Sequence, residues 1–277
     1  MNKFPSIAIV GGGNMANALV SGWLKQGCPA SQIHIIELSE ELRAQWQARG
    51  VSVSAQPDAL LSQHTVWVFA VKPQQMREVV LSTKQYLQSD TLVISIAAGI
   101  SIASLSKWLG SDSEGYGHIV RCMPNTPALV AAGVTGMAAL PVLSAQEREV
   151  ATSLLSAVGQ AVWVDNDQSI DAVTALSGSG PAYVFLFLES LIEGAVELGL
   201  TAEQARTLAL ATLTGSTKLA AESVEPASVL RERVTSKGGT TAAALDVFKN
   251  RNFTEIVKKA MCAADQRAAE LSKEFGN

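Results

Sequence analysis

Three glycines set the first chemical expectation. Gly11-Gly12-Gly13-Asn14-Met15-Ala16 follows the apolar run Ile7 to Val10 and opens a helix-compatible stretch, so G-x-G-x-x-A falls in a strand-turn-helix context. In that context Gly11 permits the tight turn, Gly13 lets a pyrophosphate approach the backbone, and Ala16 allows close helix-strand packing. The helix start, with Asn14 and Met15, offers unpaired N–H groups to the phosphates. A structural glycine turn is the alternative. A dinucleotide site also wants a residue at the end of the second strand to meet the adenosine ribose, an acid for NADH or a cation for NADPH. Glu37-Leu38 stands at that corner and leans towards NADH, although Arg43 can reach the same region from the next helix.

Three more strand ends border the expected nicotinamide half. Ala70-Val71-Lys72-Pro73 closes one buried run, Ser95-Ile96-Ala97-Ala98-Gly99 another, and Met123-Pro124-Asn125-Thr126-Pro127 a third. Ligands of open α/β sheets gather outside the carboxyl ends of strands, which makes Ala70, Val71, Lys72, Pro73, Ala97, Pro124 and Asn125 candidate cofactor contacts. In the second half, Ser236-Lys237-Gly238-Gly239-Thr240-Thr241 precedes a helix, and its hydroxyls and free amides suit a carboxylate. An ordinary helix cap with a glycine hinge reads the same residues without a ligand. His34, His64 and His118 lack any metal-ligand spacing, and there is no G-x-S-x-G nucleophile turn. No metal is expected. A site poor in acids suits a C=N bond, because a protonated imine already carries the charge that draws a hydride.

The elements that must position these residues follow from patterning. Strand candidates Ile7 to Val10, Ile33 to Glu37, Thr65 to Val71, Thr91 to Ile96, His118 to Cys122 and Ala161 to Val164 alternate with helical stretches, which implies parallel βαβ units. The expected fold is α/β, an N-terminal Rossmann domain with a doubly wound, mostly parallel sheet at 1–166, followed by an all-helical domain at 167–277. The boundary is placed near Asn166, in the polar stretch Asp165 to Gln168. Thr201 with Gln204 and Asn252 with Glu255 resemble capping boxes in the helical half. Its wide Ala/Leu/Val faces call for self-association.

Composition excludes several function classes. The chain has 277 residues, 17% of them charged, with a net charge of −4, so it carries no electrostatic footprint for nucleic acid. Cys28, Cys122 and Cys262 are far apart, which fits a reducing, cytoplasmic compartment rather than a disulfide framework. The apolar run Ala182 to Leu188 stops at Glu189, short of the roughly 20 residues a membrane span needs. A soluble protein without an export signal is expected.

Together these residues resemble pyrroline-5-carboxylate reductase, over essentially the whole chain: GGGNMA at 11–16, AVKP at 70–73, SIAAGI at 95–100, MPNTPA at 123–128, DAVTALSGSGPAYVF at 171–185 and TSKGGTTAAAL at 235–245. The resemblance implies hydride transfer from NADPH or NADH to the imine carbon of 1-pyrroline-5-carboxylate, giving L-proline. It also implies a homodimer intertwined through the helical domain, with dimers often assembled into decamers. Ser236, Gly239, Thr240 and Thr241 would hold the substrate at the dimer interface. Thr241 matches the threonine that bonds the ring nitrogen, and Thr174 matches a second position near the substrate. Three departures stand out: Lys237 replaces a usual proline, Pro57 falls where many members have a ribose-contacting asparagine, and Glu37-Leu38 replaces a pair whose second residue is basic. Two other readings remain: a β-hydroxyacid dehydrogenase, whose catalytic lysine has no counterpart between Pro181 and Gly199, and a non-catalytic dinucleotide sensor.

Overall fold

The structure is a computed structural model that describes residues 4–111 and 113–276. Met1 and Asn277, the outer limits of the two expected domains, lie outside the described residues. Eight strands form one sheet: β1 (Ile7–Val10), β2 (Ile33–Ile36), β3 (Ser52–Ser54), β4 (Val66–Phe69), β5 (Leu92–Ser95), β6 (Ile119–Met123), β7 (Gly133–Ala139) and β8 (Gly159–Trp163). Their spatial order is β3-β2-β1-β4-β5-β6-β7-β8. Every pair is parallel except β6 with β7. The order turns back at β1, which leaves the crevice between β1 and β4 for a ligand.

Eleven helices accompany the strands among the described residues. α1 (Asn14–Lys25), α2 (Glu40–Ala48), α3 (Pro73–Thr83), α4 (Ile102–Leu109), α5 (Ala145–Ser156) and α6 (Ser169–Val173) belong to the sheet-bearing unit. They are followed by α7 (Gly180–Glu197), α8 (Ala202–Glu222), α9 (Ala227–Arg233), α10 (Thr240–Asn250) and α11 (Phe253–Phe275). The strand period of two sorts the core into layers. Ile7, Ile9, Ile33 and Ile35 pack with Leu19, Trp23 and Leu154 on one face. Ala8, Val10, Ile36 and Phe69 pack with Met76, Val80 and Leu105 on the other. Strands buried on both faces read as continuous apolar runs, and that is how β1 and β4 appear in the sequence, while β2 and β5 each carry one buried polar residue, His34 and Ser95.

Two strands escaped the sequence pattern. β3 is short, and β7, with the sequence GVTGMAA, is built of small residues because its neighbours stand close. A Cβ on Gly136 would lie 2.5 Å from Cγ1 of Val173, and one on Gly133 would lie 2.9 Å from the backbone of Ala128.

By contacts the chain divides after Ser179: the sheet-bearing unit also takes in the segment from Ala263 onward, and Gly180–Cys262 forms the second unit. Asn166, where the sequence pattern changes, leads into α6, which Arg121 of β6 ties to the sheet. Arg121 is only 2% exposed and bonds Asp167 and Asp171 at 2.9 Å each. In the helical unit Thr201 forms its capping box with Gln204. Asn252 instead takes a left-handed φ of 53°, and Glu255 pairs with Lys258 at 2.8 Å.

Ser169–Glu197 forms a continuous helical stretch that is long and apolar enough to cross a bilayer by length and composition alone. This exceeds what the run Ala182–Leu188 suggests on its own. Glu189, Glu193 and Glu197 nonetheless recur at every fourth position and draw a charged stripe along α7. An amphipathic helix of this kind suits a protein interface. Val184, Phe185 and Leu186 of α7, like Ile256 of α11, are more than half exposed in the single chain.

Candidate active site

The turns after β1, β2, β4, β5 and β6 lie at one edge of the sheet, because these strands run parallel. Gly11, Glu37, Ala70, Ala97 and Pro124 are therefore brought to the same edge, each within two residues of a strand end. Gly11 adopts a φ of 99°, and a Cβ there would sit 2.7 Å from the carbonyl oxygen of Ala70. The two turns thus approach backbone to backbone. Gly12 is hemmed in by Trp46, whose Nε1 donates to the Gly12 carbonyl at 3.2 Å. Around Gly13 a Cβ would meet nothing within 4 Å. Gly13 is also the N-cap of α1 and provides no side-chain cap, so the first-turn amides face open space. Asn14 is exposed, Met15 half-buried, and Ala16 buried against the sheet. A cavity of about 250 Å³ opens here, lined by Gly12, Gly13, Asn14, Asn17, Trp46 and Arg49, among others.

A glycine cradle, an uncapped helix start and an adjoining cavity fit a dinucleotide pyrophosphate. At the ribose corner, the Glu37 carboxylate accepts from Gly12 N at 2.7 Å and from Ser39 N at 2.8 Å. Arg43 donates through Nη1 to the carbonyls of Glu37 and Leu38 at 2.8 and 2.7 Å. Its guanidinium thus braces the strand end beside the acid. Lys72 is exposed at the N-cap of α3, with Pro73 in the first turn, where its missing N–H costs nothing.

Asn125 is engaged at both ends of its side chain. Its Nδ2 donates to the Ser177 carbonyl at 3.1 Å, and its Oδ1 accepts from Val134 N at 2.9 Å. Ser177 belongs to a widened π-turn, Thr174–Gly178, between α6 and α7. Thr174 is half-buried there, and its hydroxyl donates to the Ile170 carbonyl at 2.8 Å.

Ser236, Gly239, Thr240 and Thr241 lie in the helical unit. Gly238 takes a φ of 71°, and Gly239 N bonds the Ser236 carbonyl at 3.0 Å, folding the loop onto the start of α10. Gly239 is the N-cap and provides no side-chain oxygen, so the α10 amides are left uncapped. The histidines take up other partners: His34 stacks on His64 with centroids 5.6 Å apart, and His118 pairs with Glu147.

Sequence reasoning missed Trp46 and Arg49, which form the outer wall of the cavity, with the guanidinium 4.6 Å above the indole ring. Their three-residue spacing across the C-terminal end of α2, where Arg49 is the C-cap, was the available signal. The Arg121 pairs with Asp167 and Asp171 were likewise unseen.

The fold and this edge define a two-unit, dinucleotide-binding protein of the oxidoreductase class. The chain is 44% identical to the pyrroline-5-carboxylate reductase of Pseudomonas aeruginosa and 34% identical to that of Pisum sativum, covering 98% and 96% of both chains respectively. It belongs to the pyrroline-5-carboxylate reductase family. The family model for pyrroline-5-carboxylate reductase dimerisation matches residues 167–271, and one for NADP oxidoreductase, coenzyme F420-dependent, matches residues 6–99. Among solved structures, a pyrroline-5-carboxylate reductase from Coxiella burnetii aligns with a TM-score of 0.90 at 38% identity, covering 98% of this chain and 99% of its own. The Plasmodium falciparum enzyme, solved with NADP bound, aligns at 0.86 with 28% identity, covering 98% and 99%.

Proposed function

We propose that the chain reduces 1-pyrroline-5-carboxylate to L-proline with a nicotinamide dinucleotide, NADH or NADPH. The observation that carries this reading is a pair of helix starts. α2, α4, α5 and α8 are capped by the side chains of Ser39, Ser101, Ser144 and Thr201. α3, α6 and α9 lack a side-chain cap, at Lys72, Gln168 and Pro226, whereas α1 and α10 begin on glycines, which carry no side chain to cover the first-turn amides and so leave them for a ligand anion. The first would take the pyrophosphate and the second the substrate carboxylate.

A bound nicotinamide supplies a hydride. The residues assigned to hold the dinucleotide are Gly11, Gly13, Asn14, Met15 and Ala16 at the phosphates, Glu37 at the ribose, and Ala70, Val71, Lys72, Pro73, Ala97 and Pro124 along the other strand ends; Asn125 stands beside them with its side chain bonded to Ser177 and Val134. Ser236, Gly239 and Thr240 would grip the carboxylate through hydroxyl and amide donors. Thr241 would hydrogen-bond the ring nitrogen and keep the imine protonated and oriented, and Thr174 would border the same ring. The ring C=N bond gains the hydride at carbon, and its π pair becomes the nitrogen lone pair of the amine. Positioning and the iminium charge then account for the rate. The Glu37 charge beside the ribose disfavours a 2′-phosphate and favours NADH. No metal has a role in these steps.

The exposed apolar residues of α7 and α11 would be covered by a second copy of the chain, with a homodimer as the minimal unit and residues 167–277 as the dimerisation and substrate domain. A cytoplasmic location accords with this reading. Steady-state reduction of pyrroline-5-carboxylate, with NADH and NADPH compared side by side, tests it. Dinucleotide binding without turnover would overturn it.

A further inference from the structure

We propose that Asn125 is a positioning residue for imine reduction, its side-chain amide clamping the π-turn Thr174–Gly178 so that Thr174 meets the substrate ring. The proposal rests on the functional reading above, in which Thr174 borders that ring. It begins from Pro181. In an uninterrupted α-helix the Ser177 carbonyl would accept from the backbone N–H of residue 181, but proline has none, and its ring crowds the carbonyl four residues before it. The helix widens instead. Ser179 N bonds the Thr174 carbonyl at 2.8 Å, a step of five residues. Such turns are rare and are frequent at functional sites.

The displaced Ser177 carbonyl is received by Asn125 Nδ2 at 3.1 Å, while Asn125 Oδ1 takes Val134 N at 2.9 Å. One amide therefore fastens the π-turn to the first residues of β7. A second contact joins the turn to the end of β6: a Cβ on Gly178 would fall 2.6 Å from Cε of Met123, so the absence of a side chain lets the β6 end seat against the turn. The approach to the turn is fixed as well, by the buried Arg121 on Asp167 and Asp171.

The clamp has a chemical consequence. The Thr174 and Ser177 hydroxyls donate their protons to the carbonyls of Ile170 and Val173, at 2.8 and 3.0 Å. What they present outward is oxygen lone pairs, which suit a cationic ring and its polarised C–H and N–H groups. Closing the turn to an α-helical register would absorb one residue and rotate its flanks by about 100°. The Thr174 oxygen would then leave its place. Asn125 thereby serves the reaction through the turn, with one N–H of its Nδ2 committed to the Ser177 carbonyl and its Oδ1 to Val134 N.

The test compares Asn125→Asp and Asn125→Ala with the wild type in pyrroline-5-carboxylate reduction, in direct NADH and NADPH binding, and in thermal unfolding. Aspartate keeps the shape and the acceptor for Val134 but cannot donate to Ser177. Both variants are expected to lower kcat by about tenfold or more, with dinucleotide Kd held within about twofold. If the alanine variant does not fold, the near-isosteric aspartate variant decides. Pro181→Ala restores the missing N–H, and is expected to lose kcat while melting no lower than the wild type, a combination that a purely structural role would not produce. Wild-type kcat and KM in Asn125→Asp would overturn the proposal. So would a loss of dinucleotide affinity matching the loss in kcat/KM, which would place Asn125 in the cofactor site itself. A wild type that fails to reduce the imine would instead overturn the functional reading, so the two failures are distinguishable.

Discussion

The two outer glycines of the cofactor turn should fail in opposite ways when each is replaced by alanine. Gly11 sits at a φ of 99°, and its new Cβ would lie 2.7 Å from a backbone oxygen, Ala70 O, that has no rotamer to change. The left-handed conformation costs an L-residue about 1–2 kcal/mol, and the forced contact adds about 1–3 kcal/mol. Alanine recovers about 0.4–1 kcal/mol by restricting the unfolded chain. The net loss for Gly11→Ala is then about 1–5 kcal/mol, or a fall of about 2–10 °C in Tm at about 2 °C per kcal/mol for a chain of this size. Gly13 has a φ of −77° and open space where its Cβ would stand. Gly13→Ala should therefore melt at or slightly above the wild type. Its methyl group would occupy the seat of the pyrophosphate and weaken dinucleotide binding about tenfold or more, equivalent to about 1.4 kcal/mol. Thermal unfolding, together with titration of the Trp46 fluorescence beside the turn, reads both quantities. Wild-type dinucleotide affinity in Gly13→Ala, or a wild-type Tm in Gly11→Ala, would refute the reasoning.

Thr241→Ala should lower imine turnover about tenfold or more while leaving dinucleotide Kd unchanged; unchanged turnover in the folded variant would remove Thr241 from the mechanism. Glu37→Gln keeps an oxygen for Gly12 or Ser39 but removes the charge, and should shift the kcat/KM ratio towards NADPH by about tenfold; a fixed ratio would show that Glu37 does not set the preference. Burial holds the His34 and His64 imidazoles below their ordinary value of 6.5, against the raising effect of Asp58. The unfolded chain therefore takes up protons first as pH falls, so stability is complete above about pH 6.5 and declines below it. Melting followed from about pH 7.5 down to about pH 5 should show this slope, flattened in His64→Phe, and a pH-independent Tm in the wild type would rule out the histidine pair as its source.

Much of the sheet was legible because a strand covered on both faces must be apolar throughout, and Ile7–Val10 or Val66–Phe69 admit no other reading. The glycine turn was legible for a related reason: Gly11 answers a positive φ and Gly12 the Trp46 ring, while Gly13 stands in open space. β7 was not legible. Hydrophobic periodicity reports large side chains that need burial, whereas Gly133 and Gly136 record only that Ala128 and Val173 approach closely, and a neighbour's approach leaves no local pattern. Arg121 was hidden in the same way. Its partners lie 46 and 50 residues further along the chain, so only the fold brings the charges together.

Pro181 is the instructive intermediate case. Its position in Ser177-Gly178-Ser179-Gly180-Pro181 reads locally as a first-turn proline, which is sound for α7 alone. The helical stretch, however, begins upstream at Ser169, so the same proline also removes a donor from inside a longer run. A proline placed there leaves one carbonyl orphaned at a fixed distance of four residues, and a buried carbonyl needs a partner. Asn125 is that partner. An asparagine between two prolines thus reads as turn chemistry in sequence, and in the folded chain it becomes the donor that makes an interrupted helix tolerable beside the carboxyl edge of the sheet.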